Sequence, residues 1–216
     1  MNRKSMVQEY YTLMIDKNGL MPAMYKAEAG AGLTVAAFVD FLVNDTVSVE
    51  IKKIMVIGDL PESLEYLETL YNYLQDKKPS MEKMVMEFYS GRRNRELMER
   101  IGENLCEEGT AVEKKGGVFG PKRLFIPEKA YKEALIEKLR TGVREDELTP
   151  RDAALMYLLE ESKCLKQYFS KYESDRMKEK LKEMKNDPMN RKLAQMIDYV
   201  SSITDVVTVL LVTTMN

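Results

Sequence analysis

Ala27-Glu28-Ala29-Gly30-Ala31-Gly32-Leu33-Thr34-Val35-Ala36-Ala37-Phe38-Val39-Asp40-Phe41-Leu42-Val43 is the stretch on which the fold turns. A helix is expected from near Pro22 to Val43. Its alanine- and glycine-rich middle lets neighbouring helices approach closely, which makes it a central, buried element. Gly30-Ala31-Gly32 hints at a dinucleotide loop, but Val35 stands where the third glycine belongs and no strand precedes it. Asp40 lies within Phe38-Val39-Asp40-Phe41-Leu42, where a carboxylate must be paired, at a rim, or protonated. A structural ion pair is the expectation.

Working outward, Val7 to Ile15 has helical spacing and ends in the turn Asp16-Lys17-Asn18-Gly19. After the central helix, Thr46–Glu50 and Lys53–Ile57 form two short β-branched runs closed by a Gly58–Pro61 breaker. Amphipathic helices are expected over Glu62–Leu74, Met81–Tyr89 and Arg92–Glu108. Thr110–Glu113 and Arg123–Ile126 then frame a glycine-rich, basic tip from Lys114 to Lys122, which makes a projecting β-hairpin. Pro127 suits the first turn of a helix that Gly142 would stop. Thr149-Pro150 is a cap followed by proline at the first helical position. A charged helix from about Ser174 to Pro188 and an apolar one from Met189 toward Val212 complete the chain. No long linker and no internal repeat occurs. The expected fold is mainly α: a single multi-helix domain over 1–216, with a projecting β-hairpin and a minor short strand pair.

Composition narrows the function. With 216 residues and 44 % apolar content the chain can bury a core, so overall disorder is excluded. Thirty-three Lys and Arg against thirty-five Asp and Glu give a net charge of −2. Any attraction to phosphate must therefore be local, and nucleic acid is an unfavoured partner. There is no histidine, which removes Ser/His/Asp and Cys/His nucleophiles, HExxH proteases and histidine-held metals together. Cys106 and Cys164 have no CxxC spacing and are read as small apolar residues. No catalytic apparatus, cofactor or metal site is expected. The start shows no signal peptide, and Val206–Val212 falls far short of a bilayer span, which points to the cytoplasm. The methionines and Tyr10, Tyr11, Tyr66, Tyr71 and Tyr73 are assigned to filling or flanking the core.

Charge gathers in one segment. Arg92, Arg93 and Arg95 crowd a helix start, where unpaired N–H groups and the helix dipole favour an anion, while the glutamates fall mostly further along. Lys114, Lys115, Lys122 and Arg123 surround Val118 and Phe119 in the hairpin. The order helix, glycine, strand, basic loop, strand also describes a winged-helix DNA reader. Glu99 and Glu103 on its recognition helix, and the acidic total, oppose that alternative.

Val7–Leu20, Ala27–Val43, the run Leu97-Met98-Glu99-Arg100-Ile101-Gly102-Glu103-Asn104-Leu105-Cys106-Glu107-Glu108-Gly109, the hairpin and Arg151-Asp152-Ala153-Ala154-Leu155-Met156-Tyr157-Leu158 resemble the Golgi phosphoprotein 3 family in that order. The resemblance implies a mostly helical peripheral membrane protein that reads phosphatidylinositol 4-phosphate. It also implies possible partners in the cytosolic tails of membrane proteins, and a possible homo-oligomer through the hairpin. The basic N-terminal arm of the eukaryotic members is missing, so the likeness is to prokaryotic-type members. At the family's lipid site Tyr25 matches the membrane-edge aromatic and Arg95 one arginine. The other two arginines fall on Thr34 and Met98, so weaker headgroup binding is expected, with Arg92 and Arg93 as partial compensation. The expected function is that of a membrane adaptor: Tyr25, Arg92, Arg93 and Arg95 take an anionic headgroup, and the hairpin residues touch the membrane. The alternative keeps the hairpin as a protein-interaction arm.

Overall fold

In the computed structural model residues 4–116, 122–186 and 194–201 are described. Over these residues the molecule is mainly α, with two antiparallel strand pairs. At its centre α2 (Lys26–Val43) is buried from Ala29 through Phe41. It follows a 3-10 turn at Ala23–Tyr25 and packs against α1 (Met6–Met14), every residue of which is buried. Small side chains make these approaches possible. A Cβ on Gly32 would sit 2.2 Å from the Tyr10 hydroxyl, which itself donates to the Ala29 carbonyl at 3.1 Å.

Asp40 departs from the expected ion pair. Its two carboxylate oxygens accept the backbone N–H groups of Met6 and Val7, each at 2.8 Å, at the start of α1. A buried anion at a helix N-terminus is thus matched by the dipole and by N–H groups that would otherwise lack partners. Burial still pushes its carboxyl up to about 6, with those two bonds pulling the other way. The ion pair that does join this region is Arg151 with Glu9, and Arg151 also donates to the Lys4 carbonyl at 2.7 Å.

β1 (Val47–Glu50) and β2 (Lys53–Val56) pair through a two-residue turn. Ile51 and Lys52 in that turn both have positive φ, as such a hairpin requires. The helix expected over Glu62–Leu74 divides into a 3-10 segment, Glu62–Leu67, and α3 (Glu68–Lys77). α4 (Met81–Phe88), capped by the Ser80 side chain, leads into α5 (Gly91–Glu107). β3 (Ala111–Gly116) and β4 (Lys122–Pro127) form the second hairpin, so Lys114, Lys115, Lys122 and Arg123 belong to strands and not to a tip. Pro127 ends β4 opposite Ala111 and does not open a helix. Having no N–H, it suits the end of an edge strand.

α6 (Lys129–Glu145) runs through Gly142 and stops at Asp146, which takes the left-handed conformation. Gly142 instead faces Leu148, against which a Cβ would meet Cδ1 at 3.2 Å. α7 (Pro150–Glu161) begins as expected, the Thr149 side chain accepting from Asp152 N–H. α8 (Lys171–Asn186) starts before Ser174, because Ser170 and Glu173 cap it reciprocally: Glu173 N–H donates to the Ser170 hydroxyl at 3.2 Å, and Ser170 N–H to the Glu173 carboxylate at 2.7 Å. Residues 194–201 are helical, with Met196, Ile197 and Val200 buried. The rest of the expected last helix lies outside the described residues. Cys164 is buried and Cys106 half-buried. No helix among the described residues is long and apolar enough to cross a membrane.

Candidate functional site

Two helix starts meet at one place. α5 opens at Ser90-Gly91 with no side-chain cap and no acidic residue in its first turn. Gly91, at φ +73°, lets the chain turn sharply out of α4. α2 opens at Tyr25, again without a side-chain cap. Gly30 brings them together: a Cβ there would lie 2.0 Å from the Tyr89 carbonyl oxygen, so only glycine lets α2 approach the α4–α5 corner this closely. That corner is held by Asn94, a buried residue whose side-chain amide donates to the Phe88 carbonyl at 2.9 Å.

Between the two starts lies a cavity of about 600 Å³. Ser90, Gly91, Asn94 and Arg95 line it from α5, and Lys26 and Ala27 from α2. Its remaining walls are mostly apolar: Leu20 and Met21 from the loop after α1, Met98 from the second turn of α5, and Leu124 and Phe125 from β4. Gly19, at φ +75°, lets that loop lie on β4, where an added Cβ would meet Leu124 Cβ at 3.0 Å. The Tyr11 hydroxyl donates to the Phe125 carbonyl at 3.3 Å and so ties the back wall to the core. Lys26 and Arg95 are exposed, and no carboxylate among the described residues is ion-paired with either. Glu99 and Arg123 complete the lining at the hairpin side.

The arginines of α5 are divided by helix geometry. Gly91, Asn94, Arg95 and Met98 follow the three- and four-residue spacing of one face, whereas Arg92, Arg93 and Glu96 belong to the next. Arg92 and Arg93 accordingly line a separate depression of about 300 Å³, with Tyr73 and Phe88. Arg93 is committed there. Its guanidinium lies 4.8 Å from the Tyr73 ring centroid and 5.4 Å from that of Phe88, and 3.1 Å from the Glu87 carboxylate. Of the three arginines grouped by sequence, Arg95 alone lines the cavity.

Tyr25 stands between two wall residues, Ala23 and Lys26, with its side chain exposed and not itself in the wall. Met98 lines the cavity, but Thr34 is fully buried in α2 and donates its hydroxyl to the Gly30 carbonyl at 3.0 Å. Lys114 and Lys115 are exposed along β3. Arg123 is neutralised: Glu113 accepts from it at 2.7 and 2.8 Å, Glu103 also pairs with it, and it stacks over Phe125 at 5.0 Å. Hydrogen bonds to those two carboxylates raise its already high pKa further. The side chain of Lys122, and Val118 and Phe119 entirely, lie outside the described residues. Lys26 was not singled out by sequence, though the signal was present: a cation in the first turn of a helix, beside an aromatic.

The sequence model of the Golgi phosphoprotein 3 family matches residues 7–200, from α1 to the last described helical segment. No curated protein matches the chain.

Proposed function

The chain belongs to the Golgi phosphoprotein 3 family, and from that premise we propose that it is a non-catalytic peripheral membrane adaptor holding an anionic lipid headgroup between the starts of α2 and α5. The observation that carries this reading is the pair of cations, Lys26 and Arg95, unmatched by any carboxylate among the described residues and set beside two helix starts without side-chain caps on one cavity. A phosphate there would accept from Arg95, Lys26 and backbone N–H groups while lying at the positive ends of two dipoles. Where the family resemblance places further arginines, this chain has an apolar wall residue, Met98, and a buried hydroxyl, Thr34. With about 1 kcal/mol from each cation near an acidic surface, attachment is weak, reversible and salt-sensitive.

Flotation with liposomes tests this. Recovery is expected with vesicles containing phosphatidylinositol 4-phosphate or another acidic lipid, and little with neutral ones. Charge reversal at Lys26 and Arg95 abolishes it. Equal recovery on neutral vesicles, or an unaffected double variant, overturns the reading.

A second reading gives the hairpin a protein partner, either another copy of the chain or the cytosolic tail of a membrane protein. It rests on β3, which is exposed over four successive residues, Val112 to Lys115, in a sheet of two strands. Such edges pair readily. A solution mass unchanged by removal of residues 114–122 counts against self-association.

A further inference from the structure

The headgroup site continues into a space that a phosphate does not need. From Gly91 to Met98 the wall runs about 10 Å along the α5 axis. Over that length its lining changes from Ser90, Lys26 and Arg95 to Leu20, Met21, Met98, Leu124 and Phe125. A volume of about 600 Å³ is that of a site for a whole small molecule, apolar-walled with a few placed polar groups.

The two ends differ in charge. Lys26 and Arg95 line the cavity with no ion-paired carboxylate among the described residues, whereas the lining at the hairpin side holds Glu99 and an Arg123 already paired with Glu103 and Glu113. An anion is therefore favoured at the helix starts over the hairpin side, and between them lies apolar wall with two flexible methionines that adapt to a chain.

We infer that this cavity takes one alkyl chain of its ligand together with the anionic head, so that the ligand class is a phosphate-headed amphiphile whose chain leaves the bilayer plane to lie along Met21, Met98 and Leu124. The inference rests on the headgroup reading above, since the cations set which end the head occupies. Met98 then has a role that an arginine at that position would not serve: it is the apolar floor just beyond the phosphate.

The test uses the full chain and soluble monoalkyl phosphates below their micelle concentrations, from butyl through hexyl and octyl to decyl, with glycerol phosphate as the head alone. Calorimetry is expected to show affinity rising about fourfold per methylene until the cavity is filled, and then levelling. With methyl-labelled methionine, the Met21 and Met98 methyl resonances shift on octyl phosphate and stay in place on glycerol phosphate. Met98→Gln flattens the chain-length series, and an unchanged fold is read from its remaining methyl resonances. Equal affinity for glycerol, butyl and decyl phosphates overturns the inference and leaves the headgroup reading standing. Octanol that shifts Met21 and Met98 as octyl phosphate does, with no response to glycerol phosphate, overturns the headgroup reading and leaves a chain-binding cavity. Methyl shifts confined to methionines away from the cavity overturn the inference as well.

Discussion

Replacing Gly30 with alanine puts a methyl group where the structure has no room for one. The added Cβ would stand 2.0 Å from the Tyr89 carbonyl oxygen, about 1.4 Å short of the 3.4 Å at which ordinary contact begins, with Asn94 Nδ2 a further 3.2 Å neighbour. The obstacle is backbone, so it cannot swing aside as a flexible side chain would. Overpacking of this kind costs about 1–3 kcal/mol, and a backbone obstacle puts the substitution at the upper end. Alanine returns about 1 kcal/mol through its better helix propensity. The net expectation is a loss of about 2 kcal/mol, or a melting temperature lower by roughly 4–8 °C for a chain of this size. Headgroup binding is expected to fall several-fold below the melting temperature, because the start of α2 moves away from that of α5. Gly91→Ala is the comparison: nothing lies within 4 Å of its added Cβ, and its φ of +73° makes the backbone the only cost, about 1–2 kcal/mol. Thermal and urea melts of the two variants decide the matter. A Gly30→Ala protein as stable as the parent, or more so, refutes the close approach of α2 to the α4–α5 corner.

Asp40 supplies a pH test: its carboxyl is raised from 3.8 to about 6 by burial. Its contribution is thus fully present below pH 3.8 and is lost as pH rises through about 6. The stability gap between the parent and Asp40→Asn should therefore shrink by about 3 kcal/mol between pH 4 and pH 7, and urea titrations showing a constant or widening gap contradict it. Arg151→Met strands the buried Glu9 carboxylate and should cost about 3–5 kcal/mol. The loss should be smaller in acid, because burial already pushes Glu9 upward, and Glu9→Leu added to it should restore most of the stability. Arg93→Ala removes stacking on Tyr73 and Phe88, at about 1–2 kcal/mol, and should leave vesicle flotation intact, whereas Arg95→Glu should reduce flotation with little change in melting. Equal flotation defects in the two variants would mean that both faces of α5 meet the membrane.

Much of this was legible from local signals. The small-residue run marks α2 as the buried centre, because period and side-chain size are properties of neighbours in the chain. The cap Thr149 with Pro150, the β-branched strand pair, and the hairpin between Thr110 and Pro127 follow for the same reason. Errors arose where a local signal competed with packing. Gly142 reads as a helix stop, yet Leu148 covers it and Asp146 takes the left-handed turn. Pro127 fits a helix start equally well, and its pairing with Ala111 is what places it in a strand.

By itself the sequence determined a mainly helical protein with cations clustered at a helix start and no histidine chemistry. Which cations face one cavity was decided by tertiary structure alone. At about 100° per residue, two positions along a helix point some 200° apart, so Arg93 turns to Tyr73 and Glu87 while Arg95 lines the cavity with Lys26. Asp40 shows the same thing: its partners are the N–H groups of Met6 and Val7, thirty-four and thirty-three residues away, and contact at that separation is set by how α1 lies on α2.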